Sequence, residues 1–152
     1  MQTTFATLII ALAATSVQAQ QADDKNATRR YGIELRLRDY AQATPKEALA
    51  SVVRAVEAGR IDYLLAHLTD PKFVDERVKQ QYRGDFDQLV KETTTKLKDN
   101  PTTLKDLQRY LKEGEWEAVE DTASVRLKEI PDRQVFLRKI GKRWFLENRQ
   151  KK

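Results

Sequence analysis

From Thr122 to Lys128 the chain alternates, with Ala123, Val125 and Leu127 on one side and Thr122, Ser124, Arg126 and Lys128 on the other. That period of two predicts a strand with one face on a core and one in water. Two further runs, Arg133 to Ile140 and Arg143 to Asn148, flank the dipeptide Gly141-Lys142. Glycine at the first central position supplies the positive φ that a two-residue turn needs. Such a turn sets Ile140 opposite Arg143, Lys139 opposite Trp144, Arg138 opposite Phe145, Leu137 opposite Leu146 and Phe136 opposite Glu147. Val135, Leu137, Trp144 and Leu146 then share the core face. The reverse face carries Phe136, Ile140 and Phe145 among Arg138, Arg143 and Glu147, more apolar than an ordinary solvated surface. Cover from within the chain, including arginine stems lying over the rings, is the expected reason. A face for a protein partner or a second copy is the alternative.

Upstream the period changes to that of a helix. Thr44-Pro45-Lys46-Glu47 is a start signal, because Thr44 can cap free N–H groups, Pro45 lacks nothing at the first helical position, and Glu47 can bond back. Ala48, Leu49, Val52, Val53 and Val56 follow at helical spacing, and Gly59 ends the element. A short helix carries Ile61, Leu64, Leu65 and Leu68 on one stripe. Asp70-Pro71 opens a third helix with Phe73, Val74, Val78 and Tyr82. Gly84-Asp85 restarts the chain into Phe86, Leu89, Val90, Thr93 and Leu97, and Asn100-Pro101 stops it. Thr103-Leu-Lys-Asp106 opens the last helix, which Gly114 ends. Helices first and strands afterwards predict an α+β domain, with the N-terminal helices packed on one face of a C-terminal curved antiparallel sheet of about four strands.

The N-terminal part divides differently. The first nineteen residues carry no charged side chain, and Phe5 to Ala14 is an apolar run followed by Val17-Gln18-Ala19. This is the pattern of a signal peptide cleaved after Ala19, although no Lys or Arg precedes the run. The run is shorter than the roughly 20 apolar residues of a spanning helix, so no stable membrane span is expected after cleavage. Export to the periplasm or the medium follows. Residues 20–43 read as a flexible or extended arm. Within it Tyr31 to Arg38 alternates, either as an edge strand or, preferably, as an extended segment laid across the domain. Residues 44–149 form the domain, large enough for one core, and 150–152 a basic tail.

A capped helix beginning Thr44-Pro-Lys-Glu-Ala-Leu49, the segment Gly59-Arg-Ile-Asp-Tyr-Leu-Leu65 and the hairpin Gly141-Lys-Arg-Trp-Phe-Leu-Glu147 together resemble the NTF2-like (cystatin-like) superfamily, in particular small exported bacterial members of the kind found in planctomycetes. The resemblance covers roughly Thr44 to Arg149 and marks architecture rather than chemistry. It implies helices filling the hollow of a curved sheet, with the leftover space as a pocket. Extra helical residues between Asp70 and Gly114 and the low strand count depart from the family pattern. Fold alone does not settle function, since it hosts enzymes and pure binders.

The chemistry available is narrow. The chain has no cysteine and one histidine, His67, so disulfides, thiol catalysis and transition-metal sites are not expected, nor is a cofactor. Asp62 lies five positions before His67, about 140° around a helix, and so cannot serve it as a partner. No catalytic residue is assigned. If a pocket exists, Tyr63, His67, Tyr82, Trp116 and Trp144 are its candidates, with core packing the ordinary role for the aromatics. The formal charge is +5, and Arg133 to Lys152 holds eight Lys/Arg against Glu147, leaving the remainder at −2. Arg138, Lys139, Lys142 and Arg143 could therefore hold an anionic polymer. The plainer reading is a solvated face balanced by the acidic run Glu113-Glu115-Glu117-Glu120-Asp121 on a neighbouring strand. No stacking platform for bases is evident, which argues against nucleic acid. The leading expectation is an exported, non-enzymatic domain that binds a small apolar ligand or a protein partner. A pocket hydrolase or isomerase and a binder of anionic polymer are the alternatives.

Overall fold

A computed structural model describes residues 28–149. The expected signal peptide and the first part of the arm lie outside the described residues, as does the basic tail. The described chain is an α+β domain, helices first and sheet afterwards. Two short strands, β1 (Arg29–Arg30) and β2 (Ile33–Glu34), precede helix α1 (Pro45–Glu57). Helix α2 (Ile61–Tyr63) runs straight into a π-helical turn, Leu64–Leu68. Helices α3 (Pro71–Gln81), α4 (Phe86–Asp99) and α5 (Thr102–Glu113) follow. The chain closes with β3 (Glu115–Val119), β4 (Thr122–Leu127), β5 (Ile130–Ile140) and β6 (Arg143–Glu147), an antiparallel meander in sequential order.

Local chemistry sets most boundaries. Thr44 Oγ1 accepts from the Glu47 N–H while the Glu47 carboxylate accepts from the Thr44 N–H, a complete capping box. Asp70 and Asp85 cap α3 and α4 in turn. The last helix differs from expectation, because it starts at Thr102 with Pro101 as its cap and no side-chain bond. Pro101 is already at φ −65°, so the turn forms one residue early, and the Thr102 hydroxyl bonds Asn100 instead.

The β5–β6 register is the expected one, Ile140 to Arg143 through Phe136 to Glu147, around Gly141 at φ +61°. Ala123, Val125, Leu127, Leu137 and Trp144 are buried on the core face, where α1 and α5 pack. On the reverse face the arginines do cover the rings: Arg143 lies 4.9 Å from the Phe145 centroid and Arg149 lies 4.0 Å from that of Phe136. Phe145 is buried, Phe136 half-buried and Ile140 exposed.

The expected charge balance takes a different form. The acidic strand β3 is at the far edge, beside β4, and its Glu115 pairs with Arg126 and Lys128. The strand itself adjoins neither β5 nor β6, and only Asp121, in the turn after it, reaches β5, its carbonyl accepting from Lys139 N–H. The meander order, which the charges alone do not dictate, is the reason.

The arm is neither an edge strand nor a simple extended segment. It folds into a small hairpin around Tyr31-Gly32, both at positive φ. From there it crosses the outside of the π-helical turn, and Gln42 reaches the outer edge of β6, where its carbonyl accepts from Trp144 N–H. This cover explains why Leu64 through Leu68 are all buried, where a single apolar stripe was expected.

Candidate functional site

A cleft of about 920 Å³ opens between the helical layer and the lower ends of β5 and β6. Its apolar surface comes from Leu64 and Leu65 of the π-helical turn, Phe73 of α3, Leu107 of α5, Val135 of β5 and Leu146 of β6. The turn is held wide by Thr69, whose N–H and hydroxyl both donate to the Leu64 carbonyl. Asp70 N–H donates to Leu146 O and ties the end of that turn to β6. One wall of the cleft is thereby anchored to the sheet.

Charged groups ring this surface. Arg133 faces Asp106 at 3.8 Å, and Arg149 faces Glu147 at 3.2 Å. Arg77, half-buried, stands on α3 four residues after Phe73. Tyr110 lines the inner end, its hydroxyl donating to Arg133 O at 3.4 Å, and burial pushes its phenol pKa up.

None of Tyr63, His67, Tyr82, Trp116 and Trp144 is among the residues that line this cleft. His67 is fully buried under the arm, its Nε2 donating to Ile33 O at 2.8 Å. That bond leaves Nδ1 bare and unpartnered, and burial holds the ring's pKa below its ordinary value, with Arg143 and Arg30 adding repulsion. Tyr63 stacks on Tyr40 and meets the His67 ring at a tilt, and its hydroxyl accepts from Arg36 N–H. Asp62 accepts from Arg60, and its carboxylate does not partner His67, as the spacing implied. Tyr82 is buried at the α3–α4 corner, bonded to Glu92. Trp144 is buried in the core, and Trp116 is packed half-buried against it.

The basic set is likewise divided. Lys139 and Lys142 are exposed, Arg138 sits 3.9 Å from Asp70, and Arg143 turns inward to Gln42 Oε1 at 3.3 Å. Among the described residues no group of three or more His, Cys, Asp or Glu is placed to hold a metal ion, and no helix is long and apolar enough to cross a membrane.

The cleft residues escaped sequence reasoning because α3 carries two neighbouring stripes with different destinations. Val74 and Val78 enter the core while Phe73 and Arg77 stand beside them on the cleft side. An arginine at i+4 from an exposed-side aromatic was the available signal. Comparison with protein-family models, curated proteins and solved structures finds no match.

Proposed function

We propose that this chain is an exported, non-enzymatic binding domain that takes a small apolar ligand in the cleft beneath α3 and α5. The observation that carries the reading is a cleft of ligand-sized volume, about 920 Å³, whose apolar wall includes the half-buried Phe73, Leu107, Val135 and Leu146 and whose border is polar and charged. Catalysis by proton transfer is disfavoured by the same geometry. The sole histidine is sealed beneath the arm, and the carboxylates Asp106 and Glu147 each stand opposite an arginine, at 3.8 Å and 3.2 Å. The apolar run Phe5 to Ala14, ahead of small residues at Val17 and Ala19, supports export. The resemblance to NTF2-like domains agrees with a pocket between helices and sheet.

The test uses N-phenyl-1-naphthylamine, an uncharged apolar fluorophore. It should bind the chain saturably, and Leu107→Trp, which fills the cleft, should abolish the signal while the melting curve persists. Native mass spectrometry of the protein from its own envelope fraction should reveal a bound small molecule. A bare mass together with no saturable dye binding would overturn the reading.

A further inference from the structure

Four buried side-chain polar atoms among the described residues lack a hydrogen-bond partner: His67 Nδ1, Trp116 Nε1, Arg77 Nε and Glu147 Oε2. The last two belong to side chains that line the cleft. Glu147 is not short of a counter-charge, since Arg149 Nε stands 3.2 Å away, though off the hydrogen-bond direction. Arg133 likewise has Asp106. Arg77 is the exception. Among the described residues its guanidinium makes no ion pair and no hydrogen bond, and its one ring contact, with Phe73, spans 5.9 Å. The remaining cleft carboxylate, Asp132, is exposed at the start of β5.

A half-buried cation beside an apolar wall has lost part of its hydration without gaining a partner. Its position is not accidental to the fold, because α3 must turn Val74 and Val78 into the core, and this brings Phe73 and Arg77 onto the cleft. The planar guanidinium fork matches a carboxylate, and the leucines nearby match an alkyl chain.

We propose that the cleft takes an amphipathic carboxylate of the fatty-acid kind, its head group held by Arg77 and its chain laid on Leu107, Val135 and Leu146. This rests on the reading of the cleft as a ligand site and names the ligand's chemical class. Arg77 completes a half-built ion pair only when such a molecule is present, so the preference for an anion resides in one side chain.

Calorimetry with the full chain at neutral pH separates the two claims. Dodecanoate should bind about tenfold more tightly than dodecan-1-ol, the value of one charge-assisted contact. Arg77→Met should remove that difference by weakening dodecanoate alone, and Arg77→Lys should restore part of it. Equal binding of acid and alcohol by the native chain would overturn the carboxylate assignment and leave the apolar cleft standing. Unchanged dodecanoate binding by Arg77→Met would also overturn it, placing the head-group contact on another cation such as Arg133 or Arg149. Failure of both probes to bind would remove the cleft reading itself. Should Arg77→Met not fold, the acid–alcohol comparison and Arg77→Lys still decide.

Discussion

The first and last hairpins of the described chain both turn on two residues, yet they are held by opposite means. The C-terminal one, β5–β6, has five facing residue pairs and buries Leu137 and Trp144 on a common core. The N-terminal one, β1–β2, has two facing pairs and almost no interior of its own. It stands because other elements grip it. Arg30 donates to Ala66 O and to Asp75, Tyr31 stacks on Phe86 at 4.1 Å and bonds Asp75, and Ile33 O accepts from His67. The C-terminal hairpin is local structure that creates a surface, and the N-terminal one is a strap that tertiary contacts create. Its loss should therefore be local, while damage to the other should be global.

The sharpest break falls on the C-terminal side. Trp144→Ala empties a buried ring site and should destabilise the domain by about 3–5 kcal/mol, read from the urea midpoint. A variant that melts like the parent would mean that the sheet tolerates the loss of its wall, and the contrast would collapse. Next comes Gly114, between α5 and β3. Its φ is −68°, so any residue could adopt its backbone. A Cβ there, however, would overlap Val125 Cγ2 and the Tyr110 carbonyl. Gly114→Ala should thus cost about 1–3 kcal/mol through overpacking rather than backbone strain, and the paired Gly114→Ala/Val125→Ala variant should recover part of it.

These differences match what could be read from the chain. Gly141 and the alternation around it determine the β5–β6 register because pairing there is between neighbours, and every contact is encoded within fifteen residues. Thr44, Asp70 and Asp85 announce helix starts for the same reason. Tyr31 announces nothing. Its left-handed φ of +51° is not a tyrosine preference, and beyond two local strand pairs it is Phe86 and Asp75, far along the chain, that hold it there. The π-helical turn was equally hidden, since it depends on Thr69 reaching Leu64 and on an arm that covers its outer side. The cleft combines both problems. Its apolar residues look like core in sequence, and which of them stay uncovered depends on how α3, α4 and α5 diverge from the sheet.

A smaller effect is expected at the strap. Asp75→Asn weakens the carboxylate's grip on Arg30 and on the Tyr31 hydroxyl, both near the surface. Partial exposure limits the global cost to about 1 kcal/mol or less. Amide exchange should separate local from global opening: Leu35 N–H, bonded to Thr28 O at 2.7 Å, should exchange faster, while amides of β5 keep their parental protection. Equal acceleration in both places would show that the strap and the sheet open as one unit.

The smallest effect is a slope with pH, and it reports on the one histidine that joins strap to π-helical turn. His67 is neutral when buried, with Nε2 donating to Ile33 O and Nδ1 bare. Its folded pKa lies below the ordinary 6.5, first through burial and then through Arg143 and Arg30, with the Ile33 bond opposing. The unfolded chain therefore takes up the proton first as pH falls. Stability is fully present above about 6.5 and declines from there towards the lower folded value. The urea midpoint should drop between about pH 7.5 and about pH 5.5, and His67→Gln should flatten that part of the profile. A native profile already flat across this range would mean that the imidazolium finds a partner under the arm, and that the strap lifts or rearranges to provide one.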